Sequence, residues 1–164
     1  MNYHNITKDD MLNGDGRRVV LCVSGCNHHC KGCHNPQTWD QASGIEFDEN
    51  AKQEIFCELE KDYVSGITFS GGDPLFHNNR QVVENLIEEI STKYPNKTIW
   101  LYTGYNFDEI KHLPFISKID VICDGKFVLE QRDVNAHWVG STNQRVIDVK
   151  KSLQQNKVII HQYK

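Results

Sequence analysis

The chain has 164 residues, 38% of them hydrophobic, which is the length of one domain and enough apolar material for a buried core. Its 18 Lys and Arg are outnumbered by 22 Asp and Glu, giving a formal charge of −4 and no long basic run, which argues against nucleic-acid binding. No stretch approaches the roughly 20 apolar residues of a membrane span. Met1-Asn2-Tyr3-His4-Asn5 lacks the pattern of a charged and then apolar leader, so a soluble, cytoplasmic protein with no membrane partner is expected. Six cysteines in a reducing compartment favour metal binding or catalysis over disulfides.

In chain order, the apolar run Val19 to Val23 reads as a first strand, and it opens through Ser24-Gly25 into a loop holding Cys26, Cys30 and Cys33. Phe47 to Tyr63 reads as a helix with Asp48 as its amino-terminal cap and Ile55, Phe56 and Leu59 in an apolar stripe. Ile67-Thr68-Phe69 is a short strand that ends in Ser70-Gly71-Gly72-Asp73-Pro74. A helix over Arg80 to Tyr94 places Val82, Val83, Leu86, Ile87 and Ile90 on one side, and is followed by the strand Thr98 to Tyr102 and the turn Thr103-Gly104-Tyr105. A short helix over Asp108 to Leu113, a strand over Ile119 to Cys123 and the turn Asp124-Gly125-Lys126-Phe127 come next. Beyond these, Val146 to Val149 and Val158-Ile159-Ile160 are apolar runs without clear type. The alternation of strand and helix predicts an α/β fold with a mostly parallel sheet. At roughly 25 to 30 residues per βα unit the chain holds about five or six units, which predicts a partial, open βα barrel. No repeat or linker divides it, so residues 1–164 are expected to form a single domain.

The chemistry concentrates in the cysteine loop, where C-x-x-x-C-x-x-C supplies three thiolates on eight residues. A cubane 4Fe-4S cluster held by three thiolates keeps one iron free for a ligand. Gly25 and Gly32 ease close approach of the main chain. Two other readings fit the loop alone: a structural zinc site completed by His28, His29 or His34, and a closed site that adds Cys22 as a fourth thiolate. Cys22 lies inside an apolar strand and reads as core, while Cys57 and Cys123 read as buried, quiet thiols. The glycine turn Ser70 to Pro74 favours the open site, because glycines let backbone approach a ligand with no Cβ in the way. A side chain at Gly72 is therefore expected to obstruct a ligand while sparing the cysteines. His28 and His29 are expected to solvate the rim of the cluster and His34 to pack near it. Tyr102 and Tyr105 read as packing residues at strand ends, and Asp124 as a turn former.

The combination of Cys26, Cys30 and Cys33 with Gly71-Gly72-Asp73-Pro74 resembles the radical S-adenosylmethionine superfamily. Finer features are Cys30-Lys31-Gly32-Cys33-His34-Asn35, Thr38-Trp39, Tyr102-Thr103-Gly104-Tyr105, Asp124-Gly125-Lys126-Phe127 and Gly140-Ser141-Thr142-Asn143-Gln144. These are similar to the anaerobic ribonucleoside-triphosphate reductase activating proteins, in order, from about Asn13 to Arg145. Two departures stand out: Gly32 occupies the position where much of the superfamily has an aromatic residue, and Val139 stands where these activators tend to carry arginine.

The resemblance implies one 4Fe-4S cluster on Cys26, Cys30 and Cys33 and S-adenosyl-L-methionine as its ligand. The backbone of Gly71, Gly72 and Asp73 would hold the amino group, and the backbone around Gly32, Cys33 and His34 would meet the adenine. It implies reductive cleavage of that cofactor and hydrogen abstraction from a glycine in the large subunit of an anaerobic ribonucleoside-triphosphate reductase. A reducing donor such as flavodoxin would supply the electron. An activase of another glycyl-radical enzyme, of the pyruvate formate-lyase type, and a non-catalytic zinc or iron-sulfur module are the rival readings.

Overall fold

The computed structural model describes residues 1–162. Seven strands form one open sheet in the order β3-β1-β2-β4-β5-β6-β7. They are β1 (Asn2–Asp10), β2 (Arg17–Val23), β3 (Ile45–Glu46), β4 (Val64–Gly71), β5 (Thr98–Tyr102), β6 (Val121–Asp124) and β7 (Arg145–Asp148). The four central strands β2, β4, β5 and β6 are parallel, whereas β1, β3 and β7 join antiparallel. Between the parallel strands run α1 (Glu49–Leu59), α2 (Arg80–Lys93) and α3 (Phe107–Ile110), and α4 (Val149–Gln155) follows β7. None of these helices is long and apolar enough to cross a membrane.

The sheet corrects several expectations. The apolar run at Val19 is not the first strand but the second arm of a β1–β2 hairpin. β1 escaped notice because NYHNITKDD buries only Tyr3 among mostly polar neighbours. In place of five or six βα units there are three parallel crossovers flanked by antiparallel edges. The first helix is shorter than Phe47 to Tyr63: Asp48 caps it, its carboxylate accepting from the Ala51 N–H at 2.9 Å, and it ends at Leu59. Val146 to Val149 straddles two elements, because Asp148 caps α4 by accepting from Lys151 N–H at 3.0 Å. Ile160 makes an isolated bridge to Ile147.

Strand parity decides which residues meet the site. Side chains alternate across a strand, so Val19, Leu21 and Val23 of β2, Ile99 and Leu101 of β5 and Ile122 of β6 enter the main core. There they meet Ile55, Phe56 and Leu59 of α1 and Val83, Leu86, Ile87 and Ile90 of α2. The opposite parity places Trp100, Val121 and Cys123 in a second cluster on the other face, with Tyr102 packed against it. Arg18 is wholly buried on that face and links three strands: its guanidinium donates to Thr68 Oγ1 at 2.8 Å, Ile67 O at 2.7 Å and Thr98 O at 2.9 Å. It also lies over the Trp100 ring.

Candidate functional site

The cysteine loop leaves the carboxyl end of β2 and is anchored at its root. Gly25 N–H donates to Thr38 O at 2.8 Å and Cys26 N–H to Trp39 O at 3.1 Å, so the short helical turn Pro36–Thr38 closes the loop from behind. Within it, Cys33 N–H donates to Cys30 O at 3.0 Å, and Asn35 N–H points at Cys33 Sγ at 3.4 Å. Burial pushes the Cys26 thiol up, opposed by hydrogen bonds from the backbone of His28 and His29. Gly32 has φ +73°, and Leu129 fills the space a Cβ would need, 2.9 Å from it. The apolar contact at that position thus comes from a side chain nearly a hundred residues downstream.

A cavity of about 680 Å³ opens at the carboxyl ends of β2, β4, β5 and β6, within the range typical of small-molecule sites. It is lined by Cys26, Cys30, Cys33, Gly32, His34, Gly71, Gly72 and Asp73, so every residue singled out for the site borders one space. This is the end of a parallel sheet where ligands ordinarily bind. Cys22 does not line the cavity, and burial pushes its thiol up. The further cysteine that does is Cys123, whose thiol burial pushes up to about 12, so it offers a neutral S–H at neutral pH. Cys57 corrects an expectation, being exposed on α1 rather than buried.

The glycine turn packs against the cysteine loop before it meets any ligand. Gly72 N–H donates to Val23 O at 2.7 Å and Asp73 N–H to Gly25 O at 2.8 Å. Those two amides are therefore engaged within the protein, and the turn's carbonyl oxygens are the backbone groups suited to accept from an ammonium group. A Cβ on Gly72 would come within 2.5 Å of Gly25 O and 3.0 Å of Thr38 O. The expectation that a side chain there spares the cysteines is therefore wrong, because it would strike the root of their loop.

The Asp73 side chain is buried and turned into the protein. Its carboxylate accepts from Leu75 N–H at 2.8 Å, the Thr103 hydroxyl at 3.0 Å and Gly104 N–H at 3.0 Å, and His28 Nε2 lies 2.7 Å away. His28 therefore does not solvate a rim; its side chain is only 8% exposed. His29 is exposed and tilts against Trp39, and His34 is exposed at the cavity edge.

Sequence reasoning read Tyr102 as packing and Cys123 as a quiet thiol, quoted Phe127 only within a turn and did not single out Leu129, yet all four border the cavity. For Tyr102 and Cys123 the signal was available in strand parity, since each follows a core residue at a strand end. Burial holds Tyr102 well above the usual phenol range, helped by the adjacent Cys123. Asp124 is more than a turn former: it is buried, accepts from Phe107 N–H at 2.7 Å, and is gripped by Arg145 through Nε at 3.0 Å and Nη2 at 2.5 Å.

A protein-family model for a 4Fe-4S single cluster domain matches residues 12–147, from the β1–β2 turn into β7. Over 146 residues the chain is 44% identical to the anaerobic ribonucleoside-triphosphate reductase-activating protein of Enterobacteria phage T4, covering 89% of this chain and 93% of that protein. Proteins of the same description from Vibrio cholerae and Escherichia coli K12 are each 40% identical, over 88% and 89% of this chain and 96% and 97% of their own lengths. The chain belongs to the family of anaerobic ribonucleoside-triphosphate reductase-activating proteins. It carries that family's 4Fe-4S domain, and the residues present fit such a cluster. Cys26, Cys30 and Cys33 border one cavity together with the glycine turn, and thiolates are the usual protein ligands of such clusters.

Proposed function

We propose that this protein activates an anaerobic ribonucleoside-triphosphate reductase by generating a glycyl radical on its large subunit, with S-adenosylmethionine cleaved reductively at a 4Fe-4S cluster. The observation that carries the reading is the shared cavity: three loop thiols and the Gly71-Gly72 turn border one space at the carboxyl ends of the parallel strands. When bound, the cluster and S-adenosylmethionine supply the one-electron chemistry that splits a carbon–sulfur bond and draws a hydrogen atom from the target glycine.

The chain's own residues bind, orient and enclose. Cys26, Cys30 and Cys33 would hold the cluster, and three thiolates would leave it a position open to the cofactor. The carbonyls of the Gly71 to Asp73 turn accept from its ammonium group. The backbone of Gly32, Cys33 and His34 meets the adenine, with Leu129 standing behind Gly32. Thr38 and Trp39 close the rear of the loop through their carbonyl oxygens.

The sheet is an incomplete barrel in this reading, and its open side admits a glycine-bearing loop of a protein partner. Residues 1–164 act as one domain in the cytoplasm, with a low-potential donor such as flavodoxin supplying the electron. Anaerobic reconstitution tests the reading. About four irons and four sulfides per chain, and release of methionine from S-adenosylmethionine only with a reductant, are expected. One tightly held zinc and no methionine would contradict it.

A further inference from the structure

We infer that His28 is a positioning residue, clasping the ligand-bearing loop to the glycine turn so that the two halves of the cofactor's binding site are set before it arrives. This rests on the cluster-and-cofactor reading above and goes beyond it by giving a role to a side chain that ligates nothing.

The geometry is a junction of three segments. His28 sits between Cys26 and Cys30, on the loop that follows β2, and its Nε2 is 2.7 Å from Asp73 Oδ2, on the turn that follows β4. The same carboxylate accepts from Thr103 and Gly104, on the turn that follows β5. A carboxylate gathering those donors can only accept, so His28 Nε2 is a further donor. Among the described residues this is the one side-chain hydrogen bond from segment 26–33 to segment 70–74. The other links, Asp73 N–H to Gly25 O and Gly72 N–H to Val23 O, hold the root of the loop and not its ligand-bearing part.

The ring is seated as well as bonded. It meets the edge of Tyr105 at 4.7 Å between centroids, and it occupies the space a Cβ on residue 104 would need, so Gly104 makes room for it. A bond to a buried, ionic acceptor is stronger than one between neutral groups and is directional, which suits a strut.

The cofactor's methionine end must reach an iron held by the loop and carbonyl oxygen on the turn at once. If the loop drifts relative to the turn, binding must first restore their spacing, and that ordering weakens affinity. Removing the clasp should therefore weaken cofactor binding more than it weakens iron retention.

The test compares His28→Phe, which keeps an aromatic ring against Gly104 and Tyr105 but cannot donate, with His28→Gln, which restores an N–H at comparable reach. Both are reconstituted as full chains without the reductase. Iron and sulfide are counted, and the dissociation constant for S-adenosylmethionine is read from the shift it causes in the electron paramagnetic resonance of the reduced cluster. Wild-type iron with affinity weakened about tenfold is expected for His28→Phe, the scale of one hydrogen bond to a charged group, and recovery to within about threefold for His28→Gln. Wild-type affinity in His28→Phe would overturn the inference. So would loss of iron in His28→Phe in proportion to binding, or a His28→Gln protein that keeps iron yet binds as weakly as His28→Phe. If the wild-type cluster itself gives no shift, the cofactor reading fails, and this inference with it.

Discussion

Cys26, Cys30 and Cys33 share one cavity, while Cys22 lies outside it, Cys57 is exposed and Cys123 is held as a neutral thiol. Replacing any of the first three by Ala should abolish cluster assembly, whereas Cys22→Ser, Cys57→Ser and Cys123→Ser should each keep close to the full complement of iron; loss of iron from Cys22→Ser or Cys123→Ser would show a fourth thiolate. Alkylation separates the outer thiols independently, because a thiolate is the reacting species. At pH 8 in native apo-protein, Cys57 should react readily with iodoacetamide. Cys123, pushed up to about 12 by burial, should stay unmodified until the protein is unfolded, as peptide mapping by mass spectrometry would reveal. Gly72→Val should lose iron along with cofactor binding, since its side chain would meet Gly25 O and Thr38 O. Full iron with only the cofactor lost would mean that the loop root yields more easily than its close packing indicates. That these residues border one cavity was legible in the sequence because thiol spacing and paired glycines are local signals. His28 was not, since its partner Asp73 lies 45 residues away and only the fold brings them together.

Elements with a strong apolar period were legible too. α2 runs from Arg80 to Lys93 as Val83, Leu86, Ile87 and Ile90 require, and β5 matches its apolar run from Thr98 to Tyr102. β1 was hidden by its polar composition, because an edge hairpin strand owes its place to backbone pairing with β2 more than to buried side chains. The end of the sheet depends on a long-range ion pair that sequence does not announce. Arg145 of β7 grips Asp124 of β6, and Asp124 also receives the first amide of α3. Arg145→Met should leave a buried carboxylate without its cation and lower unfolding free energy by about 2 kcal/mol, below the usual cost of breaking a buried pair because Arg145 is about a third exposed. Urea denaturation measures this, and adding Asp124→Asn should recover part of the loss. Asp48→Ala should cost about 1 kcal/mol through the lost cap of α1 and leave iron content unchanged, since Asp48 does not line the cavity.

Across the whole molecule, the parallel centre of the sheet was anticipated and its antiparallel margins were not. Parallel strands announce themselves through helices between them, whereas β1, β3 and β7 attach through hairpin or edge pairing that leaves a weak hydrophobic trace. The architecture brings the loops after β2, β4, β5 and β6 together at one edge of an open sheet, where the proposed function places a protein substrate. The most direct measurement of that claim is electron paramagnetic resonance of a cognate anaerobic ribonucleoside-triphosphate reductase incubated with the reduced, reconstituted protein and S-adenosylmethionine. A doublet is expected, from one unpaired electron on a glycine Cα coupled to its remaining α-hydrogen, and it should collapse when the reductase carries deuterated glycine. Cleavage of S-adenosylmethionine with no such signal, on a reductase that another activase does activate, would contradict the account.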